Sequence, residues 1–164
     1  MKEPRNREEL DKGWTLGPDE LALLSGKRGA TRLGFAVILR SFVRHGRFPA
    51  PEEIDWHAVE YVAPQVDVPA EEYGNYDHHG RTAEYHRAQI REALGFRPAT
   101  TGDADELAAW LLEEVAPYEY DAERLKGAAY ARLRALKIEP PTPGRLDRLA
   151  RARLQGRRQR ASPE

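Results

Sequence analysis

The chain has 164 residues and no cysteine, which excludes disulfide bonds and thiolate metal sites. Hydrophobic residues make up 40% and charged residues 32%, so the chain is polar but apolar enough to fill a core, and disorder throughout is excluded. Residues 1–11 are charged, and the apolar run at residues 33–39 is too short to span a bilayer; we therefore expect a cytoplasmic protein with no membrane partner.

The net charge of −1 conceals an uneven distribution of charged residues. Residues 1–123 have a net charge of −10, whereas residues 124–164 have a net charge of +9. No acidic residue lies between Glu20 and Glu52, although that interval contains six lysines and arginines. Clustered cations are expected where a protein binds a polyanion, and a solvated surface is the alternative for each cluster.

The first predicted elements are a disordered arm at residues 1–13 and two helices. The first helix begins at Pro18, since proline and the acids that follow it suit a helix N-terminus, and it ends near Gly26. The second is predicted at residues 31–45, where apolar residues recur at helical spacing. Its expected inward face consists of Phe35, Ile38, Leu39 and Phe42. Arg40 and Arg44 are expected on roughly the opposite face.

Helical patterns continue along the rest of the chain. They predict helices over residues 55–63, 81–94, 103–115, 121–136 and 145–153. The sequence therefore predicts an all-α fold of six to eight helices with helix-turn-helix-like DNA-binding elements. We expect one helical domain at residues 14–138. Residues 139–164 are expected to be a proline-rich linker with a basic helix and tail, the start of a second, truncated subdomain.

The first candidate site is the basic stretch around the helix at residues 31–45. A short helix, a turn containing glycine and a second helix with outward-facing cations form the outline of a helix-turn-helix. Such a helix needs an apolar back and a polar front to enter the major groove. The candidate DNA-binding residues are Lys27, Arg28, Arg32, Arg40, Arg44 and Arg47. An ordinary surface helix is the alternative.

The second candidate site is the start of the helix at residues 81–94. A helix N-terminus offers unpaired backbone N–H groups and a favourable dipole to a phosphate. The candidate residues are His79, Arg81, Thr82, Arg87 and Arg91. A metal site built from Asp77, His78, His79 and His86 is a weaker alternative, since no pair of these histidines has the i, i+4 spacing of zinc-binding helices. We expect neither a metal nor a cofactor.

Short motifs in a fixed order resemble the opening of Tn-three-type (class II transposon) transposases. The motifs are Trp14-Thr15-Leu16-Gly17-Pro18-Asp19-Glu20, Arg32-Leu33-Gly34-Phe35-Ala36, Gly46-Arg47-Phe48-Pro49, Val59-Glu60-Tyr61-Val62-Ala63, Gly80-Arg81-Thr82, His86-Arg87, Gly95-Phe96-Arg97-Pro98 and Trp110-Leu111. The likeness covers residues 14–153, nearly the whole chain. It departs from the family pattern at Asp77-His78-His79, where an aromatic-rich approach is expected.

The resemblance implies that the chain is the non-catalytic N-terminal part of a replicative transposase. In that family this region binds the terminal inverted repeats of the transposon, and catalysis belongs to an RNase-H-like domain far downstream. The implied partners are double-stranded DNA and other transposase chains, in the bacterial cytoplasm at the nucleoid. The resemblance also points to Arg97 as a DNA-facing residue. No enzymatic activity is expected, because the chain is too short to contain the catalytic domain.

A free-standing helical protein-interaction or regulatory module without DNA binding is the alternative function. In that case the acidic residues 1–123 dock a basic partner. The two hypotheses differ in the folded protein. DNA binding requires arginines that converge on one surface, whereas an interaction module allows them to be scattered and paired with nearby carboxylates.

Overall fold

The computed structural model describes the backbone of residues 7–161. Its eight α-helices are α1 (Arg7–Trp14), α2 (Pro18–Ala22), α3 (Gly29–His45), α4 (Trp56–Gln65), α5 (Arg81–Leu94), α6 (Thr101–Trp110), α7 (Ala122–Ala135) and α8 (Pro143–Ala161). Two short 3-10 turns (Pro51–Glu53 and Ala70–Asn75) and one π-helical turn (Leu111–Val115) complete the helical elements. The predicted all-α fold is confirmed. Of the arm expected at residues 1–13, residues 1–6 lie outside the described part, and the remainder belongs to α1.

The chain divides into two units, Met1–Ile90 and Arg91–Glu164. The division falls within α5 rather than in the proline-rich stretch at residues 139–144, which lies inside the second unit. Proline content indicates a stiff backbone but does not report whether the helices on either side share a core, so the domain bounds at residues 14–138 and 139–164 stay a prediction.

The first unit is built around α3. This helix contacts α1, α4 and the 3-10 turn before α5. The expected apolar face is buried, and so is the rest of its middle: all residues from Leu33 to Leu39 are buried, as are Ser41 and Phe42. The middle of α3 is therefore covered on every side, whereas its two ends are only partly covered. That α3 is the reading helix of a helix-turn-helix stays a prediction, and the covered middle of the helix does not support it.

Small residues explain why α3 is covered on every side. Gly34 has no Cβ, and an added one would overlap the ring of Tyr76. Ala36 and Ser41 are also fully buried, so neighbouring elements approach the helix closely on the faces that lack large apolar side chains. The sequence pattern identified the large apolar face correctly, but small residues carry no comparable signal.

The second unit contains α6, the π-helical turn, α7 and α8. Their shared core consists of Leu107, Leu111, Ala116, Leu125, Ala129, Leu133, Ile138, Leu146 and Ala150. Two short strands, β1 (Arg97–Pro98) and β2 (Ile138–Glu139), pair in parallel at its edge. Because α8 supplies Leu146 and Ala150 to this core, its described part packs within the second unit. No helix in the described part of the chain is long and apolar enough to cross a membrane.

Candidate nucleic-acid interface

Arg40 does not face outward as expected. Its Nη1 donates to both carboxylate oxygens of Glu20, at 3.0 and 2.8 Å, and its Nε and Nη2 donate to the carbonyl oxygen of Gly13, at 3.1 and 2.9 Å. Only 11% of the side chain is exposed. The expectation that Arg40 faces outward is wrong, since its donors join α3 to the segments that precede it, and DNA binding by Arg40 stays a prediction.

Three other cations of the first candidate site also bind protein acceptors. Arg47 donates to both carboxylate oxygens of Glu53, and this contact lowers the pKa of that carboxyl group to about 2. Arg32 donates to the carbonyl oxygens of Val66 and Leu24, at 2.8 and 3.1 Å. Lys27 donates to Gln89 at 2.9 Å. These side chains hold the first unit together, and their charge is largely committed to it.

The last two residues of the first candidate site differ from each other. The half-buried guanidinium of Arg44 lies against the backbone of Gly13, where an added Cβ would overlap it. Arg28 is the N-cap residue of α3 and is exposed. The six predicted cations around α3 therefore do not form one exposed patch, and Arg28 is the exposed member.

The second candidate site is more open. Helix α5 buries a single narrow stripe, Ala83, His86 and Ile90, and apart from the half-buried Arg87 its first two turns are otherwise exposed. Arg81 and Thr82 lie in the first turn, and both are exposed. One turn further along the same face, Tyr85 is 71% exposed. Sequence analysis missed Tyr85, although its position four residues after Arg81 and off the apolar stripe was a usable signal.

The stretch before α5 is held by hydrogen bonds and ring contacts. The backbone N–H of His79 donates to Asp77 at 3.0 Å. The Tyr76 hydroxyl lies 2.8 Å from Nδ1 of the buried His86, and their rings stack with an interplanar angle of 8°. Burial lowers the pKa of His86 to about 4 and raises that of Tyr76 to about 12. Both groups are therefore neutral near pH 7 and act as packing residues.

A cleft of about 430 Å³ opens between this stretch, the segment after α3 and the side of α5. It is lined by Ile38, Phe48, Pro49, Ala50, Pro51, Glu52, Tyr76, His78, His79, Ala83 and Arg87. Arg87 donates from Nη1 to the carbonyl oxygen of His78 at 3.2 Å. Two predicted site residues, His79 and Arg87, thus meet at one concave surface. Among the described residues, no group of three or more His, Cys, Asp or Glu could hold a metal ion.

The two predicted cations of the second unit are each paired with a carboxylate. Arg91 donates to Glu139 at 3.0 Å. Arg97 uses both terminal nitrogens to bind Asp103, with Nη2 at 2.8 Å, and this contact holds the pKa of that carboxyl group well below its usual range. Arg97 nevertheless remains half exposed. Both contacts lie within the second unit.

Comparison with known proteins identifies the family. The model of a family described as "Domain of unknown function (DUF4158)" matches residues 1–152. The chain belongs to the DUF4158 family. The DUF4158 chain is also similar to the transposase for transposon Tn3926 of Escherichia coli, with 30% identity over 99 residues, which are 59% of the chain and 10% of that protein. Its identity to the transposase for transposon Tn21 of Escherichia coli is 26% over 147 residues, 88% of the chain and 15% of that protein.

These relatives confirm the resemblance to Tn-three-type transposases and identify the DUF4158 chain as transposase-related. The DUF4158 chain spans less than a sixth of the length of these two relatives. Within it, the structure brings together Arg81 and Thr82 on the exposed start of α5, and His79 and Arg87 in the cleft beside it. It does not bring the cations around α3 to that surface as free side chains.

Proposed function

We propose that this chain binds double-stranded DNA sequence-specifically, at transposon terminal inverted repeats, as a non-catalytic part of a transposase. The observation that carries the proposal is the exposed start of α5. Arg81 and Thr82 occupy its first turn, and no hydrogen bond or ion pair within the described residues engages either side chain. This surface is free for a ligand in a chain whose relatives are transposases.

The shape of α5 supports major-groove entry. The helix buries only Ala83, His86 and Ile90, so the opposite side of its first two turns is available. B-DNA's major groove is about 12 Å wide and admits one α-helix. In helix-turn-helix proteins the N-terminal residues of the inserted helix contact the base edges. Arg81, Thr82 and Tyr85 occupy those positions here.

The chemistry of the exposed face suits a base edge and a backbone phosphate. Arginine binds guanine bidentately through O6 and N7, and threonine contacts bases by its hydroxyl or methyl group. Tyrosine hydroxyls are frequent donors to phosphate oxygens. Glu84 lies between them in the first turn, and its carboxylate opposes phosphate while being able to accept from a cytosine amino group. We assign sequence reading to Arg81 and Thr82.

Binding of a defined duplex tests the proposal. Fluorescence anisotropy compares a terminal-repeat duplex from a related transposon with a scrambled duplex of equal length. We expect the chain to bind the repeat duplex at least about a thousandfold more tightly than the scrambled duplex, which is the lower end of the ratio for sequence-specific DNA-binding proteins. Arg81→Gln should weaken binding to the repeat roughly 5- to 150-fold and relax base preference at one position.

The matched control is Arg124→Gln, which removes the same charge from an exposed side chain on α7. Its affinity should stay within about twofold of the unmodified chain, because Arg124 is not one of the proposed contact residues and salt screens the charge of an exposed side chain. Equal affinity for repeat and scrambled duplexes, or equal weakening by the two variants, contradicts the proposal.

A second candidate function, protein interaction, is favoured by one feature of the second unit. Tyr118 and Tyr120 are 83% and 73% exposed, and they alternate with Glu119 and Asp121 in the turn before α7. Exposed tyrosines beside carboxylates suit a basic partner, such as another transposase chain. The double variant Tyr118→Ser/Tyr120→Ser should lose self-association or binding to a basic partner chain, which analytical ultracentrifugation measures. Its affinity for the DNA duplex should stay unchanged. Loss of duplex affinity alone would instead place these tyrosines at the DNA.

A further inference from the structure

The cleft beside α5 has the size of a small-ligand site. Its volume of about 430 Å³ lies in the range of pockets that hold small molecules and cofactors, roughly 300–1,000 Å³. Four separate parts of the chain form it: Ile38 of α3, residues 48–52 after α3, three residues of the stretch before α5, and two residues of α5 itself. All of them belong to the first unit.

Arg87 provides the cleft with an available cation. A guanidinium group has five N–H donors, and in the described part of the chain Arg87 uses one nitrogen, Nη1, for one protein acceptor, the carbonyl oxygen of His78. It has no carboxylate partner there, in contrast to Arg40 with Glu20 and Arg47 with Glu53. Half-buried guanidinium donors without a counter-ion favour an anion that offers several acceptor oxygens, such as phosphate.

Aromatic rings and prolines form much of the remaining lining. Phe48, Pro49 and Pro51 come from one side, and the rings of Tyr76 and His78, which meet edge to face at 4.9 Å, come from the other. Burial lowers the pKa of His78, so its ring is neutral near pH 7. The Tyr76 hydroxyl is already engaged by His86. Neutral rings and prolines of this kind are suited to a flat heterocycle rather than to a second charge.

Two carboxylates limit how much negative charge the cleft accepts. Glu52 is exposed and belongs to the lining, and Asp77 lies in the adjoining stretch, where it accepts the His79 backbone N–H. His79 is exposed on the same lining. One guanidinium and one imidazole against two carboxylates fit a single phosphate group attached to a neutral ring system better than a polyphosphate.

We infer that this cleft binds one nucleotide, with its base against the rings of Phe48 and His78 and its phosphate on Arg87 and His79. The nucleotide can come from two sources: a free nucleoside monophosphate, or an unpaired nucleotide displaced from the DNA that α5 contacts. The second source rests on the proposed function, whereas the first does not. Displacing a base from a duplex costs least where it is unpaired or mismatched.

The first experiment uses free ligands on the full chain. Isothermal titration and NMR of the histidine rings compare deoxyadenosine 5′-monophosphate, deoxyribose 5-phosphate and inorganic phosphate. We expect the mononucleotide to bind at least about tenfold more tightly than deoxyribose 5-phosphate, because base stacking on aromatic side chains adds affinity. Equal binding of the three ligands would identify a simple anion site and overturn the nucleotide assignment.

Two variants are expected to change mononucleotide affinity in opposite directions, so the test does not depend on a loss of binding that misfolding could also cause. Arg87→Gln should weaken mononucleotide binding about tenfold or more, whereas the charge-matched Arg124→Gln should change it less than twofold. If Arg87→Gln does not fold, the variant Glu52→Gln, at an exposed position, tests the proposal instead. It should strengthen mononucleotide binding severalfold because it removes a negatively charged carboxylate from the lining. Unchanged or weaker binding by Glu52→Gln overturns the proposal.

The second experiment separates the two sources of the nucleotide. Anisotropy compares duplexes that carry one unpaired nucleotide with otherwise identical duplexes that carry an abasic site. Tighter binding to the duplex with the unpaired nucleotide than to the abasic duplex supports a DNA source, provided that Arg87→Gln loses this preference and Arg81→Gln keeps it. Mononucleotide binding without this difference supports the free source. If neither ligand binds the cleft while Arg81→Gln still weakens duplex binding, the cleft assignment fails and the proposed function stands.

Discussion

The ring of Tyr76 lies over Gly34 of α3, and its hydroxyl lies 2.8 Å from Nδ1 of His86 on α5. One side chain therefore joins the central helix of the first unit to the helix that carries the proposed DNA contact. His86 is only 2% exposed, and its ring also meets Phe35 edge to face at 5.0 Å. The start of α5 is set on the core through these contacts, so its exposed face is fixed by packing behind it.

This contact predicts a pH-dependent stability. Burial lowers the pKa of His86 to about 4, below the usual 6.5, so the unfolded chain binds a proton between these values that the folded chain does not. The free energy of unfolding should therefore fall as the pH drops from about 6.5 to 4, by at most about 1.4 kcal/mol per pH unit for this group. His45 behaves in the same direction. Urea unfolding at several pH values in this range gives the unfolding free energy as a function of pH. That free energy should change less steeply with pH for His86→Gln than for the unmodified chain, and identical pH dependence would exclude His86 as a contributor.

Adding a methyl group under Tyr76 should destabilise the protein. Gly to Ala within a helix normally stabilises by about 0.5–1 kcal/mol. At Gly34 the new Cβ would overlap a ring that cannot move away without losing its contact to His86. We expect Gly34→Ala to lose about 1–3 kcal/mol of unfolding free energy. The control is Gly127→Ala in α7, where an added Cβ meets nothing within 4 Å; thermal melting should shift upward there. An upward shift for Gly34→Ala would contradict the close approach.

The helices after α1 were predictable from the sequence because large apolar residues recur along them at helical spacing, whereas α1, which has only Leu10 and Trp14, was expected to be part of a disordered arm. The same signal could not predict how completely α3 is covered. Gly34, Ala36 and Ser41 are buried because they are small, and small residues do not contribute to a pattern of large apolar side chains. It also could not place the division between the units inside α5. Which helices share a core depends on long-range contacts that local spacing does not encode.

The pair formed by Arg40 and Glu20 should contribute to stability. The two side chains are 11% and 18% exposed, and Glu20 also accepts the backbone N–H of Gly17 at 2.8 Å. A double-mutant cycle with Arg40→Gln and Glu20→Gln should give a coupling energy of about 1–3 kcal/mol, because the pair is largely removed from water. The more exposed pair of Arg124, on α7, and Glu119 provides a comparison: its side chains are 75% and 25% exposed, and the expected coupling is below about 0.5 kcal/mol. Equal coupling in the two pairs would mean that burial does not strengthen the first one.

The candidate site was only partly predictable, and the reason is the same for each cation. Arginine count and spacing indicate where positive charge occurs along the chain, but not which acceptor each guanidinium meets. Arg40 and Arg47 were indistinguishable by sequence from Arg81, yet the first two bind carboxylates and Arg81 is exposed. The partners Glu20 and Glu53 flank the acid-free interval, so the absence of nearby acids within it did not mean that its cations are free.

Exposed arginines without a protein partner should control the salt dependence of DNA binding. Each phosphate contact contributes about 0.9 to the slope of log affinity against log salt concentration. Arg81→Gln should reduce the magnitude of that slope by up to about one between roughly 50 and 200 mM salt, because a guanidinium that reads a base edge also lies in the field of the flanking phosphates. Arg97→Gln should reduce it far less, because Arg97 must give up both contacts to Asp103 before it can bind a phosphate. Anisotropy titrations at several salt concentrations measure both slopes. If Arg97→Gln reduces the slope as much as Arg81→Gln does, pairing with Asp103 does not withhold Arg97 from DNA, and the distinction between paired and unpaired arginines fails.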